Sequence, residues 1–105
     1  MHKLFLLKSI AILLVFSPQS YAHFPLMNCY YEEANVTCQA GYSDGSSAID
    51  YVVKMYDYED NLIAKATTDK ASKATFSHPN QDFYLIFDAG HESPVEVDIV
   101  EIKKR

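Results

Sequence analysis

Tyr51-Val-Val-Lys-Met-Tyr-Asp-Tyr58, then Glu59-Asp-Asn61, then Leu62-Ile-Ala-Lys-Ala-Thr67: two runs rich in β-branched and aromatic residues, joined by three turn formers, read as a β-hairpin. The first run alternates. Val52, Lys54, Tyr56 and Tyr58 share one face and Tyr51, Val53, Met55 and Asp57 the other. The apolar majority on both faces marks a strand inside a sheet rather than at its edge. Toward the C-terminus the pattern continues with Ala74–Ser77, a turn over 78–81, and the apolar run Phe83–Phe87, the best candidate for a central core strand. A break over 89–94 precedes Val95–Ile102, where Val95, Val97, Ile99 and Glu101 alternate against Glu96, Asp98, Val100 and Ile102; residues 103–105 follow as a solvated basic tail. Toward the N-terminus, Leu26–Tyr31 and Val36–Tyr42 form another hairpin, and Ser43–Ser47 is a turn cluster. About seven short strands at intervals of roughly 8–12 residues predict an all-β chain, a single antiparallel β-sandwich over residues 23–102.

The first 22 residues have a different character. Lys3 and Lys8 give a basic start, Ile10–Phe16 is apolar, and Ser20 and Ala22 are small residues at the −3 and −1 positions of a cleavage site. A helical, cleavable signal peptide is therefore expected, with His23 as the first mature residue. A membrane span needs about 20 apolar residues, which Lys8 and Pro18 interrupt. The mature chain then has 83 residues, with 7 basic against 14 acidic, a net charge near −7. That balance argues against nucleic acid, which needs a basic face. It is compatible with cations.

Periplasmic or secreted location follows from the leader, and an oxidising compartment favours a disulfide between Cys29 and Cys38, the chain's 2 cysteines. If Glu33-Ala34 is a tight turn, the two cysteines face each other directly. Two separate buried thiols are the alternative; a thiolate metal clip lacks the CxxC spacing.

No nucleophile elbow, glycine-rich phosphate loop or HExxH occurs, and Glu32-Glu33 and Glu59-Asp60 lie in turns, so no enzyme is expected. The histidines carry more. A terminal His23 would offer its free α-amine and imidazole Nδ1 to one metal ion, with affinity falling as protons compete at low pH. His91, in the loop after the core strand beside Asp88 and Glu92, is the obvious further donor; His78 and Met27 are weaker candidates, as are Asp88 and Glu92. Nitrogen donors favour nickel, cobalt, copper or zinc over magnesium or calcium. The plainer alternative is a frayed terminus and a polar loop histidine.

The mature start Ala22-His23, the turn Tyr42-Ser-Asp-Gly45, the hairpin Val53–Ala64, Thr68-Asp69 leading to Ala74-Thr-Phe76, and Phe83–His91 ending in Asp88-Ala-Gly-His91 together resemble the small periplasmic accessory proteins of nickel and cobalt uptake systems, the NikL-like and CbiL-like group. That group is similar in turn to transthyretin-like and carboxypeptidase-regulatory-like β-sandwich modules. The resemblance implies a soluble metal-binding accessory role, with His23 and His91 as ligands and membrane transporter components as partners. The chain differs from the group in its short Asp88–His91 spacing, in Ala71-Ser-Lys73 where a turn glycine is usual, and in its cysteine pair. A second reading, from the interaction class, is a transthyretin-like module that binds a protein or carbohydrate through its tyrosines, of which there are 8. Oxidative chemistry at a copper on a terminal histidine would need a substrate platform that so short a chain hardly provides.

Overall fold

The computed structural model describes residues 23–104; the leader read over residues 1–22 lies outside them. Eight strands form two four-stranded sheets. The first sheet has the order β5 (Lys73–Ser77), β2 (Asn35–Tyr42), β1 (Pro25–Glu32), β8 (Lys103–Lys104), and the second β4 (Leu62–Thr67), β3 (Val52–Asp57), β6 (Phe83–Phe87), β7 (Val95–Asp98). All pairings are antiparallel except that of β1 with β8. Among the described residues no α-helix forms, and no helix is long and apolar enough to cross a membrane.

Alternation builds the core. From the second sheet Val53, Met55, Phe83, Leu85, Phe87 and Val97 point inward, and from the first Cys29, Val36, Cys38, Ala40, Ala74 and Phe76 meet them in one buried cluster. The result is the β-sandwich arrangement that the strand spacing predicted. Phe83, Leu85 and Phe87 are fully buried, and β6 pairs on both sides, which makes it a central strand. β3 is likewise internal, between β4 and β6, with a register shift between Met55 and Tyr56.

Cys29 and Cys38 stand directly opposite in the β1–β2 register and form a disulfide, both buried, with Cα atoms 4.0 Å apart. The turn that sets this register is Glu33-Ala34, with Glu33 in the left-handed region at φ 59°. Such a bond fits an oxidising, extracytoplasmic compartment.

The chain end departs from the expected single strand over 95–102. Asp98 accepts a bond from the Val100 amide, and Glu101 reaches back to the Asp98 amide, a capping box that starts a 3-10 turn over Ile99–Glu101. The turn breaks the alternation: Ile102, on the outward side of a continued strand, is buried, and Glu101, on its inward side, is exposed. Lys103–Lys104, read as a solvated tail, lie parallel to Tyr30–Tyr31 as β8, with both side chains still exposed.

Candidate functional site

One end of the sandwich gathers the segment before β1, the loop from β2 to β3, and the loop from β6 to β7. The β2–β3 loop is held from below by two buried hydroxyls: Ser72 Oγ accepts from the Ala48 amide at 3.0 Å, and Thr68 Oγ1 from the Tyr51 amide at 2.9 Å. Its first turn is fixed by Asp44, whose Oδ1 accepts from the Ser46 amide at 3.0 Å and the Ser46 hydroxyl at 2.7 Å. Gly45 takes φ 89°, a conformation that glycine adopts freely.

His23 is tied to this turn. Phe24 donates its amide to Ser43 Oγ at 2.9 Å and accepts from the Ser43 amide at 2.8 Å, which ties the segment before β1 to this turn. The imidazole stacks on Tyr42 with ring centres 4.9 Å apart and planes 23° apart, and its Nδ1 lies 3.4 Å from Asp44 Oδ2. Tyr42 is backed in turn by Tyr51 and Phe87.

The His91 ring lies 6.3 Å, centre to centre, from that of His23. It is carried by the loop after β6, where Gly90, at φ 95°, donates its amide to Asp88 Oδ1 at 2.9 Å. His91 Nδ1 is 3.3 Å from the Ala89 carbonyl. In the tautomer that donates this bond, Nε2 is the free nitrogen, the arrangement in which a histidine serves as a metal ligand. Two imidazoles on one tetrahedral ion have ring centres about 5 Å apart. The observed separation of the ring centres is about 1 Å greater than that.

Asp44 supplies negative charge beside His23. Its pKa lies below the usual carboxylate value, first because the Ser46 hydroxyl and amide bind the ionised form, with a smaller contribution from His23. The Tyr42 hydroxyl is buried with no partner at full hydrogen-bond geometry, and its pKa is pushed up to about 12, first by burial and then by the neighbouring Tyr51 hydroxyl.

The other sequence candidates make different contacts. Asp88 is engaged with Gly90, and Glu92 is exposed. Met27 packs against the core. His78 sits at the far end of β1, a strand about 25 Å long, stacked on Tyr31 at 4.9 Å and bonded through Nδ1 to the Pro79 carbonyl at 2.8 Å. Among the described residues no three His, Cys, Asp or Glu side chains converge in metal-holding geometry. Asp44 and Tyr42 are the members of the cluster that sequence reasoning missed. The Ser43–Ser47 run signals only a turn, and Asp44 satisfies that signal while also facing His23.

Comparison with family models, curated proteins and solved structures gave no significant match.

Proposed function

We propose that the chain is an exported, non-enzymatic accessory protein that binds a divalent transition ion, nickel or cobalt foremost and copper also, and hands it to a membrane transporter. The observation that carries this reading is the meeting of His23 and His91, 68 positions apart in sequence, with ring centres 6.3 Å apart and Asp44 alongside. A leader cleaved after Ala22 would add the α-amine of His23, so that three nitrogens are available, with the Asp44 carboxylate beside His23. That donor set suits late first-row ions and not magnesium or calcium. The two-sheet architecture is compatible with a transthyretin-like or carboxypeptidase-regulatory-like module, the fold implied by the resemblance to nickel and cobalt accessory proteins.

Calorimetric titration with Ni²⁺, Co²⁺ and Cu²⁺ tests the reading, using protein that begins at His23, protein that retains Ala22, and the His91→Ala variant. Binding should be tightest in the first and at least about tenfold weaker in the other two. Equal affinity in all three would refute the site.

A further inference from the structure

The outward face of the β4-β3-β6-β7 sheet is ordered by charge. Pairing across the strands aligns Lys65, Lys54, Ile86 and Glu96 in one row, and Leu62, Tyr56, Tyr84 and Asp98 in the next. In the first row the β4 and β3 positions are cationic and the β7 position acidic; Asp88 also lines the hollow beside the lysines, and Asp60 accepts from the Tyr84 hydroxyl at 2.6 Å. Its middle carries the Tyr56 and Tyr84 rings, stacked 5.4 Å apart, with Val52 on β3 and Leu62 on the edge strand β4 both close to half exposed. Lys54 and Lys65 face each other directly beside a hollow of about 460 Å³. Like charges in that position are destabilising on their own. Among the described residues neither lysine is ion-paired, and Glu96 is also unpaired and exposed. Asp98 is already engaged by the Tyr58 hydroxyl at 2.9 Å.

We propose that this face is self-complementary and joins two copies of the chain about a two-fold axis running along the strands between β3 and β6. Rotation about that axis reverses the strand order and preserves the row. Each Lys65 then faces the other copy's Glu96, Lys54 faces Ile86, and Tyr56 faces Tyr84. An axis across the strands would set lysine against lysine, so charge selects the first arrangement. The face measures roughly 20 by 17 Å, on the order of 300–400 Å² a side. That is less than half of a standard interface, so the pair is weak and concentration-dependent.

Sedimentation velocity across the micromolar to millimolar range tests this on the wild type, on Lys54→Glu/Lys65→Glu, and on Glu96→Lys, each checked for native circular dichroism. The wild type should shift toward dimer with concentration and back toward monomer with added salt. Each variant alone should dimerise about tenfold more weakly or not at all. An equimolar mixture of the two variants should dimerise again, because each then offers what the other lacks. A wild type that stays monomeric at millimolar concentration overturns the proposal. So do variants that dimerise like the wild type, or natively folded variants whose mixture fails to associate.

Discussion

Asp44 performs two tasks with one carboxylate: Oδ1 closes the turn through Ser46, and Oδ2 faces His23. Asp44→Asn keeps an acceptor for the turn and removes the charge. It should leave folding unchanged in circular dichroism and weaken metal binding by about tenfold. The tyrosines at the opposite end offer a second residue-scale test. Tyr84 donates to Asp60 at 2.6 Å and Tyr58 to Asp98, and both phenols are pushed up to about 12, first by these bonds to carboxylates. A raised phenol pKa stabilises the fold fully below the ordinary value of about 10 and ceases to do so as pH rises through 12. Asp60 sits at φ 68°, which asparagine tolerates. Asp60→Asn should therefore lower the Tyr84 transition toward 10 in an ultraviolet absorbance titration while leaving that of Tyr58 in place.

At the scale of elements, the β1–β2 hairpin was legible because its turn and its cysteines agree on one register. Glu33-Ala34 sets the pairing, and that pairing puts Cys29 opposite Cys38. The disulfide closes a short loop, for which chain entropy gives a contribution of about 2–3 kcal/mol. The Cys29→Ala/Cys38→Ala protein should lose about that much in urea unfolding. The last strand was legible only to Asp98. Its period-two alternation continues formally to Ile102, but Asp98 followed by Glu101 is also a capping box. The local side-chain bonds prevail over further pairing, and the turn puts Ile102 inside. The parallel seat of β8 beside β1 depends on that reversal, and a short run of lysines has no pattern from which to foresee it.

Across the whole molecule, the architecture followed from alternation and turn spacing, whereas the site depended on which loops share an end. Strand count alone does not say that the β2–β3 and β6–β7 loops flank the segment before β1. The packing of the two sheets does, and it leaves His78 against Tyr31 and away from His23 and His91. The charge pattern also predicts a global pH response. Asp44, Asp57 and Asp69 all titrate below the ordinary carboxylate value: Asp44 chiefly through Ser46, Asp57 through the Asn61 amide, Asp69 through the Lys73 amide. Each stabilises the fold above the unfolded value of about 3.9 and loses that effect as pH falls through its own lower value. Urea midpoints should decline below about pH 4, and Asp57→Asn should flatten that decline.

The proposed site holds one ion between His23 and His91. Pulsed electron paramagnetic resonance of the Cu²⁺-loaded protein beginning at His23 counts the imidazoles on the metal. Two are expected, falling to one in His91→Ala and unchanged in His78→Ala. A single imidazole in the wild type, with the same spectrum in His91→Ala, would contradict it.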